Sequence, residues 1–154
     1  MTISHTPGLI KKFRRTPWRF QMTFLTPVKD LNNFVSTILS TNGPFEEGSV
    51  TIAQIVFEPR NLIVLLSNYS LSKEFQNDWS LLAEDEKQVH ELLRTALSDS
   101  VDFLCVPTPK PFVIYADHDE YTTFYANTKG NLNQPVNALL AKWFKPVLNY
   151  QRNF

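Results

Sequence analysis

The chain has 154 residues, 43% of them apolar and 13% aromatic, which is enough material for one cored domain and too little for two. Fifteen Lys and Arg balance fifteen Asp and Glu, and only 19% of residues are charged, so the high net charge of a disordered chain and any global polycation are excluded. The single cysteine, Cys105, can form neither an internal disulfide nor a multi-thiolate metal site, which excludes a disulfide-stapled secreted scaffold and a zinc finger and fits a reducing, cytoplasmic setting.

Residues 1–15 lack the apolar core of a secretory signal. The longest apolar run, residues 62–66, falls far short of the roughly 20 residues needed to span a bilayer as a helix. Asn68-Tyr69-Ser70 matches a glycosylation acceptor, but without a route to the secretory pathway it reads as a chance match.

In chain order, residues 1–18 read as a basic, partly ordered leader and 19–154 as one α+β domain. Phe20, Met22 and Phe24 alternate with polar neighbours and predict a strand with one buried face. Thr26 as cap and Pro27 at the first helical position then open a helix, on which Leu31, Phe34, Val35, Ile38 and Leu39 form one stripe and which Asn42-Gly43-Pro44 ends. Residues 50–57 and 62–66, joined by Glu58-Pro59-Arg60-Asn61, read as a hairpin, the second run inside the sheet because it does not alternate. A polar connection over 68–80 leads to a second helix from about Ser80 or Leu82 to Ser98, with Glu84, Asp85 and Glu86 in its first turns and Val89, Leu92, Leu93, Ala96 and Leu97 as its stripe. Residues 101–106 are extended, and Pro107, Pro109 and Pro111 carry the chain onward to a hairpin of 112–116 and 121–126 around Asp117-His118-Asp119-Glu120. A third helix from about Asn133, with Pro135 in its first turn, and a short closing strand over 147–150 complete the order β-α-β-β-α-β-β-α-β. The expected fold is therefore an antiparallel or mixed sheet of five to six strands packed with three helices.

Charge is balanced in sum but not in arrangement. Residues 1–30 carry six cations against Asp30, residues 31–120 carry five against fourteen carboxylates, and residues 121–154 carry four cations and no carboxylate. A solvated surface accounts for such blocks; the sharper reading is a negative docking platform for a basic partner, contributed by Glu84, Asp85 and Glu86 with Asp117, Asp119 and Glu120. Aromatics outside the inferred stripes, Trp79 and Phe75 first among them, would anchor that partner.

Two other constellations carry chemistry. Residues 11–19 interleave Lys11, Lys12, Arg14, Arg15 and Arg19 with Phe13 and Trp18, a composition suited to phosphate neutralisation and base stacking, though also to a wet leader packed on the domain edge. His118 is the one histidine among carboxylates and could act as an acid or base with Asp117 or Asp119, but four consecutive residues of a turn rarely close on one ion, and a solvated turn explains them too. Cys105 sits between Leu104 and Val106 with no cation beside it and reads as an inert buried thiol. Nucleophile elbow, phosphate-binding glycine loop and H-E-x-x-H patterns are all absent.

The reading that joins these observations is a non-catalytic protein-binding domain, of the kind of an immunity-type inhibitor that blocks a basic toxin such as a nuclease, with no cofactor and no metal. The alternatives are a nucleic-acid-associated protein using residues 11–19 and an enzyme centred on His118.

Overall fold

The computed structural model describes residues 1–154 except Asn42, Lys73, Phe75, Gln76 and Asn77. Among the described residues the chain forms seven strands and five helices: β1 (Thr2–His5), α1 (Leu9–Arg15), β2 (Phe20–Leu25), α2 (Leu31–Leu39), β3 (Glu47–Gln54), α3 (Arg60–Asn68), β4 (Trp79–Ala83), α4 (Glu86–Ser98), β5 (Asp102–Thr108), β6 (Val113–Ala116), β7 (Tyr121–Ala126) and α5 (Lys129–Ala141). The strands build one sheet in the order β1-β4-β3-β5-β6-β7-β2, with every neighbouring pair antiparallel. The α+β class stands; strands and helices are more numerous than expected.

The sheet is covered on both faces. Val50, Ile52, Phe103, Cys105, Ile114 and Phe124 point into a large core with α2, α3, α4 and α5. Leu104, Val113, Tyr115 and Tyr125, one residue out of phase, meet Ile10 and Phe13 of α1 on the opposite face. Hydroxyl groups buried in the sheet are paired across strands: Thr23 with Thr123 and Thr26 with Thr122 at 2.7 Å, and Thr51 with Ser80 at 2.6 Å.

Residues 62–66 form a helix, not a strand. In α3, Leu62 and Leu66 are buried, four residues apart on one helical face, while Val64 is 59% exposed. The start of α3 is capped by a carboxylate far away in sequence: Asp99 accepts from the backbone N–H groups of Asn61 (3.3 Å) and Leu62 (2.7 Å) and from Asn61 Nδ2 (2.9 Å).

Smaller departures have similar causes. The Thr26 hydroxyl is taken by Thr122, so it does not cap α2, which begins only at Leu31. Ser80, Leu81 and Leu82 belong to β4 between β1 and β3, so α4 starts later, capped by Asp85, whose carboxylate accepts from Gln88 N at 2.8 Å. In α5 the cap is Thr128 and Pro135 lies in the helix interior rather than its first turn. Residues 147–150 form no strand, although Val147 N donates to Thr23 O (2.8 Å) and Phe24 pairs with Pro146 along the β2 edge. Residues 2–5 and 9–15, within the expected leader, form the edge strand and the helix on the second face.

Helices α3, α4 and α5 end in the same way. The N–H two residues beyond the cap reaches back to a carbonyl in the last turn: Leu71 to Leu66, Val101 to Ala96 and Phe144 to Leu139. The residue between must take a left-handed conformation, and here it is Ser70 (φ 56°), Ser100 (φ 51°) and Trp143 (φ 67°) rather than glycine.

Candidate functional site

The register separates the two acidic groups. Ala83 at the end of β4 lies beside Gly48, which lies beside Pro107, whereas Ala116 at the end of β6 lies beside Phe103. Four residues along β5 and three strand spacings across the sheet put Ala83 and Ala116 about 20 Å apart, at opposite ends of the sheet. Glu84, Asp85 and Glu86 therefore do not join Asp117, Asp119 and Glu120 in one platform.

Several of these carboxylates already serve local structure. Asp85 caps α4, and Gln88 completes the arrangement by accepting from Glu84 N at 3.0 Å, while Glu86 is exposed in the first turn, where a negative charge favours the helix. Asp117 has a side chain only 1% exposed; it accepts from Asp119 N (3.0 Å) and Tyr121 N (3.2 Å) and is ion-paired with the Arg152 guanidinium. It shapes the β6–β7 turn and is closed to a partner. Asp119 and Glu120 are exposed on that turn, Trp79 is half-buried at the start of β4, and Phe75 lies outside the described residues.

His118 has a carboxylate partner that the local sequence does not reveal. Its Nδ1 lies 2.8 Å from Oδ1 of Asp102, and the same oxygen accepts from His118 N at 2.7 Å. Asp119 is 3.9 Å from Nε2, and Asp117 is engaged with Arg152. The hydrogen bond to Asp102 raises the imidazole pKa above its ordinary value; burial opposes the rise, and the charges of Asp102, Asp119 and Asp117 reinforce it. Such a pair orients an imidazole, as general bases require, but the only thiol of the chain, Cys105, is buried and pushed up to about 12 by desolvation. Among the described residues no group of three or more His, Cys, Asp or Glu is placed to hold a metal ion.

The cations at 11–19 have a defined setting. Ile10 and Phe13 of α1 are buried, while Lys11, Lys12, Arg14 and Arg15 face solvent. Among the described residues none of these four is ion-paired with a carboxylate. Nearby, Trp18 Nε1 and Arg152 Nε are buried donors without an acceptor among the described residues, a state that costs about 1–3 kcal/mol for each group.

Sequence reasoning missed the surface at the end of α5. Trp143 is 90% exposed, and Leu25, Val28 and Leu140 are also open to solvent, with Leu148 (72% exposed) on the segment that follows. Leu25, Pro27, Trp143 and Phe144 line a groove of about 300 Å³, edged by Asp30, Lys142 and Lys145. Lys29 is exposed on the same β2–α2 connection. The spacing of Val136, Leu139, Leu140 and Trp143 in the sequence predicts one apolar side for this helix, closed by Trp143; the left-handed backbone turns Trp143 out of that stripe instead. The one signal in the sequence was a tryptophan placed just before Phe144-Lys145-Pro146, where a helix must stop.

No family model, curated protein or solved structure matches the chain, so its sites are read from its own residues alone.

Proposed function

We propose that the protein is a binding domain that docks another protein through the surface around Trp143. The observation that carries this reading is the placing of a large ring, almost wholly exposed, at the helix-closing position where glycine costs least. Exposed apolar patches rimmed by polar residues mark interaction sites, and tryptophan is enriched among the residues that dominate interface energies. The adjoining groove supplies apolar walls, and Lys142 and Lys145 outnumber Asp30 at its edge, which favours a partner segment with acidic side chains flanking an apolar one.

An inhibitor that covers the working surface of another protein is the form of binding domain this proposal favours. The expected partner is acidic rather than basic, because the lysines border the exposed ring while the carboxylates of Glu84–Glu86 and Asp117–Glu120 stand at separate ends of the sheet. The test is paired capture from native lysate with the parent and with Trp143→Ala, both shown to be folded by circular dichroism. A retained protein that is lost with Trp143→Ala, and whose bound segment is acidic, supports the proposal. Capture that is indifferent to Trp143, or a Trp143-dependent homodimer in sedimentation, refutes it.

A further inference from the structure

The face of the sheet that α1 covers carries two hollows that meet at Thr16 and Pro17. One, of about 490 Å³, is lined by Lys11, Lys12 and Arg15. The other, of about 220 Å³, is lined by Phe13, Trp18, Tyr125 and Phe154 together with Arg14 and Arg152. The first offers three cations free of ion pairs among the described residues; the second offers rings and guanidinium planes.

One wall of the second hollow is itself a planar ring seated among other groups. Phe154 stands edge-on to Phe13 and Tyr115, with centroids 5.5 and 5.0 Å away, and the guanidinium carbons of Arg14 and Arg152 lie 5.1 and 5.3 Å from its centre. The chain thus displays in its own side chain the shape this seat accepts: a flat, π-rich group set between cations. Phe154 is half exposed, so a ring of greater area has room to compete for the place. Two residues that line this hollow, Trp18 and Arg152, carry buried N–H groups, Nε1 and Nε, without an acceptor among the described residues; phenylalanine has none to offer, and a nucleobase, with its carbonyl and ring-nitrogen acceptors, does.

We propose that this face binds a nucleotide unit, with the base taking the seat now filled by Phe154 and the phosphates lying on Lys11, Lys12 and Arg15. The unit can come from a free nucleotide or from a single strand of nucleic acid, since both present a base and phosphate together. A duplex is not expected, because its bases are stacked away from such a seat. The inference is independent of docking around Trp143, and its test uses none of those residues.

The test measures fluorescence anisotropy of a labelled single-stranded oligothymidylate and calorimetry of a free adenine nucleotide, each with the parent, Lys11→Ala/Lys12→Ala/Arg15→Ala and Phe154→Ala. Inorganic polyphosphate serves as a competitor without bases, and thermal melts confirm folding. Binding by the parent is expected to weaken about twentyfold between 50 and 200 mM salt if three phosphates are neutralised on a single strand, and the triple variant is expected to lose most of that dependence. Phe154→Ala is expected to bind about threefold or more tightly, because the ligand no longer displaces a packed ring. Binding of the strand but not the free nucleotide assigns the site to nucleic acid, and binding of both assigns it to the nucleotide itself. The proposal is overturned if the parent binds neither probe, if the triple variant binds as the parent does, if Phe154→Ala fails to tighten binding, or if polyphosphate competes as well as an oligonucleotide of equal charge.

Discussion

Replacing Trp143 by Gly and by Ala separates what the ring does for a partner from what it does for the fold. The residue sits at φ 67°, and its ring is 90% exposed, so it contributes little burial. The closing hydrogen bonds of α5, Trp143 N to Leu140 O (3.0 Å) and Phe144 N to Leu139 O (3.1 Å), involve only backbone and survive both changes. A left-handed conformation costs an ordinary L-residue about 1–2 kcal/mol, and glycine escapes most of this while losing about 0.5–1 kcal/mol through its freer unfolded chain. Trp143→Gly should therefore be more stable than Trp143→Ala by about 0.5–1 kcal/mol, which for a chain of this length is a difference of roughly 1–4 °C in melting temperature. Both should weaken partner binding alike, by about thirtyfold if Trp143 is worth 2 kcal/mol as an interface anchor. Melting followed by circular dichroism, and affinity for whichever protein the parent captures, provide the two readouts. If Trp143→Gly melts more than about 5 °C below the parent, the ring is part of the packing after all, and the argument from its exposure collapses.

Further outcomes follow from buried polar groups. Asp99→Ala should destabilise the fold by about 2–3 kcal/mol, because it leaves the first N–H groups of α3 without their acceptor; urea unfolding measures this, and a loss under about 0.5 kcal/mol would show that the cap is idle. The raised pKa of His118 means that its pairing with Asp102 stabilises the fold fully below the unfolded value of about 6.5 and ceases to do so as pH rises through the higher folded value. The gap in melting temperature between the parent and His118→Gln should accordingly be wider at pH 5.5 than at pH 8.5, and an equal gap at both would contradict the assigned partner. Cys105, pushed up to about 12 by burial, should resist a thiol reagent at pH 8 until denaturant is added, whereas prompt labelling of the folded protein would place it at the surface.

Legibility in the sequence followed the range of the forces involved. The β2 strand, the stripes of α2 and α4, and the hairpin of β6 and β7 arise from neighbours a few residues apart and were readable for that reason. The single buried face expected of β2 was not found, since Thr23 is wholly buried while Phe20 and Met22 are half-buried. The run 62–66 was not, since five apolar residues fit a buried strand or a helix equally well; the choice was made by Asp99, 37 residues further on, supplying a cap. The same holds for β1, which exists because β4 offers its edge.

The candidate sites divide along the same line. Residue types alone established that the chain carries a cation and aromatic cluster at 11–19, an inert thiol and no familiar catalytic motif. Their arrangement was a matter of register and backbone angle. Antiparallel pairing carried the ends of β4 and β6 to opposite sides of the sheet and dispersed the acidic groups, set Asp102 beside His118, and brought Phe154 onto α1. One left-handed residue at the end of α5 turned Trp143 from a core position to solvent. Composition and periodicity report which groups a chain owns and which face of each element is apolar; which groups meet depends on contacts between residues distant in sequence, and those are settled only when the whole sheet closes.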